Sequence, residues 1–585
     1  MEEAPKLRPN AAGELETAHP LLLPIMAPRL QATCTPDGWI DMALWGAGSL
    51  GRVRFAPLGG PFVYGPNRIS TRRGGVFAAQ SASVILIRGT RLAGVYPAKR
   101  CAWWHKIRDN APKPSVAVAD GRRTVTLSWG VIALAFDDGD LRISAGSSLE
   151  EAESGLHLAP EAIIAEAQAH QARCDRMPEA DPLLRSMVMQ GVHAALSSIR
   201  QNADGTFGGL AAGQDYSAPA RTYYRDGYWT MQALLTLAPD AVREQIRILA
   251  RGIQPDGEAP SGVLLTGAAQ SAAWNEYRAT PVQDRRFPHH HNRPQDWWSD
   301  HFDSPLFFIL ALGDYVRATG DRAEARRHWP LVAAIIDRYR GLAGTDSVLP
   351  LKPRNDRDWA DNVFREGLVA YDLGLFVGAL DVVAELGAEH DPELSRACRD
   401  TASRARQEIE QRLYVAARHG YADYATGDGF VEDHLTLDSL TLSRFGAISD
   451  ERARGLIAAI ADNLETRHNK AQPYGDWGVM CAYPPYKRVR DLRAKTAFAF
   501  RYHNGSDWPY WDGVYAEERM RRGLGGVRYA LTRWWQTCLA EGWAGAIEYF
   551  SPPFGRGSLL QGWSAMPAAA ALKYGLAAVN AEPGS

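Results

Sequence analysis

Hydrophobic and polar positions follow two different rhythms along the chain. From roughly Gln31 to Ala145, runs such as GRVRFAPL, SASVILIRG, RRTVTLSWGVIALAF and DLRISAG alternate with period two, broken by DG, GG and GPN. Alternation with turn residues about every ten positions predicts an antiparallel β-sandwich, assigned here to residues 1–150. The stretch GLHLAPEAIIAEAQAHQARC (155–174) has helical spacing and reads as a linker helix within 151–180.

From about Asp181 the apolar residues recur three to four apart. Twelve helices are predicted, at 182–200, 228–237, 241–253, 305–320, 322–340, 368–386, 392–414, 435–446, 450–465, 508–522, 527–542 and 563–576. Those starting near 228, 305, 368, 435, 508 and 563 are apolar, aromatic or small all round, whereas 322–340, 392–414 and 450–465 carry Arg and Glu on one face. A helix apolar all round is buried and an amphipathic one is peripheral. Strict alternation of six and six predicts a double ring, so the chain reads as mainly α, with an (α/α)6 barrel over 181–585.

Composition narrows the function. Lys+Arg number 65 against 67 Asp+Glu, a net charge of −2, which argues against a partner that is nucleic acid or an anionic membrane. Hydrophobics at 46% and charges at 23% exclude widespread disorder. The chain is rich in aromatics, with 18 Trp, 22 Tyr and 17 Phe, and flat amphipathic rings are what sugar faces stack on. The six cysteines lie far apart with no CxxC, which rules out a zinc ribbon or a dense disulfide framework. The N-terminus opens acidic, and its apolar run LLLPIMAP is broken by proline, unlike a secretory leader. A cytoplasmic protein is expected, with a homo-oligomer left open.

The segments before the inner helices hold the chemistry: RTYYRDGYW (221–229), DWWSDHFDSP (296–305), NDRDWADNVFREG (355–367), FVED with His434, RYHNGSDWP (501–509) and IEYFSPPFGRGSLLQGWS (547–564). Loops entering the inner helices of a double ring open at one end, so these polar and aromatic residues are expected at a single mouth.

Four of these segments carry a resemblance. RDGYW (225–229), DHFDSPLFFI (300–309), WADNVFR (359–365) and EYFSPPFGRGSLLQGWSA (548–565) occur in the same order as similar motifs in inverting (α/α)6 glycoside hydrolases. That family includes trehalases, family 63 glucosidases and the glucosidase part of glycogen-debranching enzymes. The resemblance covers roughly 180–580; the N-terminal part matches nothing beyond the habit of such enzymes to carry a β-sandwich. It implies Asp361 as general acid and Glu548 as general base, an exo-acting pocket for a short α-linked oligosaccharide or glycoside, and no cofactor or metal. Inversion needs two carboxyl groups about 6.5–9.5 Å apart. Arg225, Asp226 and Arg365 are expected to bind hydroxyls. Trp229, Trp359, Trp477, Trp508 and Trp511 are stacking candidates, with Asp303, His503, Asn504, Asp507 and Trp563 completing the mouth.

Plainer readings stand beside these. Asp361 also suits a helix N-cap, Asp358 is the rival acid, and Glu548 also suits a partner for Arg556 or a backbone amide. Arg225–Asp226 reads equally as a buried ion pair, and any single Trp as core. The triplet His289–His291 sits in an irregular loop whose spacing to Asp296, Asp300, His301 and Asp303 fits no zinc pattern. RDWAD (357–361) is similar to the acid motif of cellobiose-type phosphorylases, which use phosphate and need no base. An (α/α)6 epimerase or lyase would instead use His503 or Tyr502, and a non-catalytic sugar-binding protein would keep the aromatics alone.

Overall fold

The computed structural model describes residues 5–98, 121–214, 220–265, 296–297, 301–354 and 356–581. Its N-terminal part is two antiparallel sheets. One has nine strands in the spatial order Arg8–Pro9, Leu15–Thr17, Phe62–Gly65, Arg68–Ser70, Gly75–Ala78, Val84–Arg88, Asp140–Gly146, Gly130–Asp137 and Gly121–Leu127. The other has five, Leu92–Pro97, Gly48–Phe55, Trp39–Leu44, Leu30–Thr35 and Leu23–Met26. Inward residues of both sheets, among them Ile25, Ile40, Val53, Tyr64, Ile85 and Ile143, form one continuous core. The strands begin earlier than the alternation indicated: those at 8–9, 15–17 and 23–26 are too short, and too interrupted by proline, to show a period.

The expected linker helix is two helices, α1 (Leu149–Gly155) and α2 (Pro160–Cys174). Pro160 starts α2 at the position where its missing N–H costs nothing. Twelve helices follow among the described residues: α3 (Pro182–Ser198), α4 (Tyr224–Leu237), α5 (Pro239–Ala250), α6 (Ser304–Thr319), α7 (Arg322–Gly341), α8 (Ala370–Leu386), α9 (Pro392–Leu413), α10 (Leu440–Arg444), α11 (Asp450–Asn463), α12 (Pro509–Arg521), α13 (Val527–Glu541) and α14 (Met566–Val579).

Packing sorts them into two rings. The even-numbered helices α4 to α14 each touch the next, and α14 closes onto α4; α3, α5, α7, α9, α11 and α13 lie between inner neighbours on the outside. Burial follows sequence texture: α8 hides 15 of its 17 residues, whereas its outer partner α9 hides only 6 of 22. This is the (α/α)6 double ring. Gly374 on α8 and Gly513 on α12 permit close approaches in it, since a Cβ would lie 2.5 Å from the Thr441 backbone of α10 at the first and 2.4 Å from the Met566 backbone of α14 at the second.

Two departures have local causes. Helix α10 is five residues long, not twelve, because Leu435 and Thr436 pair as a strand with Tyr483 and Ala482. Helix α3, although in the outer ring, has 14 of 17 residues buried, because α2, the Arg8–Pro9 strand and the inner helices cover it on several sides. The sheets also reach the ring's rim. Met26 and Trp45 pack with Ala211, Ala220 and Leu560, and Gln214 Nε2 donates to the carbonyls of Ile25 and Ala32 at 3.1 and 2.8 Å. No helix of the described residues is long and apolar enough to cross a membrane.

Candidate active site

The segments entering the inner helices are tied together by short strands. Arg221–Tyr223 pairs with Gly262–Leu264, Leu368–Val369 with Tyr424–Ala425, and Phe550–Ser551 with Gly555–Arg556. Several residues expected in loops lie on first turns instead. Arg225 and Asp226 belong to the start of α4, Asp303 is the residue before α6, Trp508 the residue before α12, and Trp563 sits in a 3-10 turn (Gly562–Ala565) before α14. Asp361 is not an N-cap; α8 begins at Ala370, behind Val369.

Asp361 and Glu548 come to the same mouth. Burial pushes the Asp361 carboxyl above its ordinary range; Arg357, Arg225 and Lys495 pull the other way, and the Glu548 charge adds to the rise. Asp361 Oδ1 has no hydrogen-bond partner and lies 3.8 Å from His503 Nδ1. Glu548 is 6% exposed, and its Oε2 accepts the Ser558 N–H at 3.0 Å. The Tyr502 hydroxyl is raised by burial and then by the charges of Asp361 and Glu548. Tyr502 has φ +56°, one of three non-glycine residues between 494 and 502 in the left-handed region, where a side chain costs on the order of 1 kcal/mol.

Asp358, the rival acid, is held in the opposite state. Burial alone would raise it, but Arg365 and Lys352 overcome that and keep it ionised, far below the usual range. Arg365 grips it through Nε and Nη2 at 3.1 and 2.6 Å, and Lys352 Nζ lies 3.1 Å away. A proton donor must hold its proton near neutral pH, and the two cations deny Asp358 that state.

The same geometry moves Arg365 away from the hydroxyl-binding part expected of it. Its side chain is 0% exposed, and Nη1 donates to Asp423 and to Asp438, each at 2.6 Å. Asp423 in turn holds His434 at 3.1 Å, and Trp359 Nε1 donates to Asp438. Arg365 is thus the centre of a buried charge cluster under the mouth. Asp507 is also placed elsewhere: its Oδ2 accepts the Val479 N–H at 2.9 Å, and burial lifts its carboxyl to about 8 against the pull of that bond and of a hydrogen bond with Asp512. Asn504 braces its loop, accepting from the Tyr486 N–H and donating to the Thr496 carbonyl. Trp229 and Trp511, both 0% exposed and 5.8 Å apart, are core of the inner ring, and Trp477 is buried with Nε1 on Gln472.

The remaining expected residues converge. Arg225 Nη1 donates to Asp303 Oδ2 at 2.7 Å, and Tyr371 donates to the same oxygen. Asp226 accepts from Gln561 Nε2 at 3.1 Å; burial, with Glu548 adding, lifts it to about 7 against the pull of Arg225. Aromatic rings make the wall: His503 stacks on Trp508 at 5.1 Å and meets Trp359 edge-on at 4.8 Å, while Trp563 stacks on Tyr510 at 4.6 Å. Burial keeps His503 neutral, well below its usual value.

Several polar atoms here are buried without partners: Asp361 Oδ1, Asp303 Oδ1, His503 Nδ1, Tyr510 Oη, Trp563 Nε1 and Arg225 Nε. Buried polar atoms are normally satisfied, and a mixed set of donors and acceptors beside aromatic faces is complementary to a polyhydroxylated ring.

Sequence reasoning missed Lys495, Tyr549, Gln561 and Arg357. Lys495 Nζ lies 3.6 Å over the Tyr502 ring and donates to Tyr549 Oη at 2.6 Å. Tyr549 and Gln561 lie inside the quoted 548–565 motif, which was the available signal; Lys495 lies in a basic loop with no pattern. His289–His291 and Asp300 lie outside the described residues. At the mouth, no three His, Cys, Asp or Glu ligand atoms gather closely enough for a metal among the described residues.

No protein-family model matches the chain, and no curated protein sequence matches it. Solved structures do. A bacterial glucoamylase complexed with acarbose superposes over 95% of this chain and 93% of its own, with a TM-score of 0.60 and 11% identity. A rhamnosidase from Klebsiella oxytoca with rhamnose bound covers 96% of this chain and 97% of its own, with a TM-score of 0.53 and 14% identity. At these identities the likeness is one of fold: the double ring and its preceding sheets are an architecture shared with both.

Proposed function

We propose that this protein is an inverting, exo-acting glycoside hydrolase for a short α-linked oligosaccharide or glycoside. The observation that carries the reading is a single mouth at which a carboxyl raised by burial, Asp361, feels the charge of a second carboxylate, Glu548. The two fold neighbours are named for glycosidase activities, and the order of the four sequence motifs resembles that of the inverting (α/α)6 hydrolases named above.

In this mechanism Asp361 gives its proton to the glycosidic oxygen as the bond to the anomeric carbon breaks. Glu548 takes a proton from water as that water attacks from the opposite face, so one proton is supplied and one recovered and the anomeric configuration inverts. The Ser558 N–H fixes Glu548 Oε2. Arg225 and Asp226 bind hydroxyls through charge-assisted hydrogen bonds, Asp303 holds Arg225 in place, and Trp508 and Trp563 cover ring faces. No cofactor enters.

The test is a panel of disaccharides and aryl glycosides followed by NMR, which reports the sugar released and its first-formed anomer together. Net retention of configuration, or no turnover of any member by the wild type alongside tight binding, would overturn the reading. One observation favours a second: Arg225, Arg357 and Lys495 all act on Asp361, a concentration of cations suited to phosphate. Running the panel with and without inorganic phosphate separates phosphorolysis, which releases a sugar phosphate, from hydrolysis.

A further inference from the structure

Outside the mouth, one cluster unites three groups of ligand chemistry. His170 and Cys174 are four apart on α2 and so share a face; His193 comes from the middle of α3. One ligand atom from each lies within 4.8 Å of the other two. His170 Nε2 is 2.9 Å from His193 Nδ1, and Cys174 Sγ is 3.7 Å from His170 Nε2. The two imidazole planes stand at 75°, their centroids 5.1 Å apart. Ser197 Oγ stands 3.0 Å from His193 Nδ1 and offers an oxygen on the same side. The three residues are 6%, 0% and 1% exposed.

We propose that His170, Cys174 and His193 bind one borderline-soft divalent cation, Zn2+, which ties α2 to α3. Zinc takes nitrogen at about 2.0–2.1 Å and thiolate at about 2.3 Å, and a tetrahedral arrangement of those bonds spaces ligand atoms about 3.3–3.6 Å apart. The observed separations bracket that range, so small side-chain adjustments admit the ion. Two nitrogens and a sulfur are its preferred donors, and a helical i, i+4 pair plus a third ligand from another element is a recurrent way to supply them. Binding breaks the Cys174 S–H bond as the sulfur–metal bond forms, and the proton passes to solvent. Ile163 and Ala167, on the same face of α2, pack into the Val84–Leu86 region of the sheets. The ion would therefore fasten to the ring the helix that the sheets hold at its other end.

The experiment uses full-length protein stripped with chelator and reloaded with Zn2+ or Co2+. One equivalent of Zn2+ is expected, with a rise in Tm. The Co2+ form is expected to show thiolate-to-metal charge transfer and the intense visible bands of a four-coordinate ion. Cys174→Ala and His193→Gln should lose both signals while keeping the wild-type circular dichroism. Should either variant fail to fold, X-ray absorption on the wild-type Zn2+ form reads the ligands directly, with one sulfur and two imidazoles expected. Absence of a sulfur ligand, or stoichiometric binding unchanged in the variants, would overturn the proposal and leave a hydrogen-bonded core cluster.

Discussion

Gly557 offers a test of Glu548 that leaves every catalytic group chemically intact. A Cβ built at Gly557 would lie 2.5 Å from Glu548 Oε2 and 2.6 Å from two Tyr549 ring atoms, against an ordinary contact of 3.4–4 Å. Both neighbours must yield: the carboxylate end of Glu548 by about 0.9 Å, and the Tyr549 ring, hemmed in by Tyr502 and Trp508 at 4.9 Å each, by about 0.8 Å. The shift of Glu548 stretches the 3.0 Å bond from the Ser558 N–H and moves the base off the path of its water. A misplacement near 1 Å costs about 10²-fold in rate, whereas overpacking at one methyl costs about 1–3 kcal/mol of stability. We therefore expect Gly557→Ala to lower kcat/KM about 100-fold on an aryl glycoside, mainly through kcat, with a folded circular dichroism spectrum. In a Glu548→Gln background the same change should cost almost nothing more, because the two act on one function. Rates within about twofold of wild type for Gly557→Ala, or full additivity with Glu548→Gln, would refute the assignment of Glu548 as base.

Asp361→Asn should abolish turnover and leave Tm nearly unchanged, while Asp358→Asn takes one of three carboxylates from Arg365 and the charge beside Lys352 and should cost about 3–5 kcal/mol in denaturant unfolding; equal Tm losses would contradict the separation of roles. The alkaline limb of the pH–rate profile should reflect loss of the raised Asp361 proton. Aryl glycosides whose leaving group needs no proton should lose that limb and retain activity in Asp361→Ala; equal damage on good and poor leaving groups would remove the general acid. Burial with Asp507 drives Asp512 far upward, and Asp507 itself to about 8, so the native pair binds more protons than the unfolded chain between about pH 4 and 8. Stability therefore falls as pH rises through that window. The Tm advantage of Asp512→Asn should grow across it, and a pH-independent difference would speak against a shared proton.

The ring was legible because its inner helices are written locally. LGLFVGAL in α8 has no polar face, and RARQEIEQRL in α9 has one. Helix α10 was over-read because the rhythm of LTLDSLTLSRF continues through residues whose backbone pairs with a segment nearly fifty residues on. The motifs located Asp361 and Glu548, yet nothing local tells Asp358 from Asp361, three residues apart. The difference is made by Lys352 and Arg365, which meet Asp358 and not its neighbour. Arg365 itself looked like a ligand for substrate until Asp423 and Asp438, far along the chain, claimed its guanidinium. The His170–Cys174–His193 cluster was invisible for the same reason: its third member arrives from another helix.

The seat of Leu560 against Met26 and Trp45 has a consequence for engineering. Leu560 stands next to Gln561, which holds Asp226, and is on the segment that carries Glu548. The N-terminal sheets therefore act as an outside splint for one wall of the reaction chamber. Exchanging them for those of a distant cousin would alter turnover at a centre whose own residues had all been left alone.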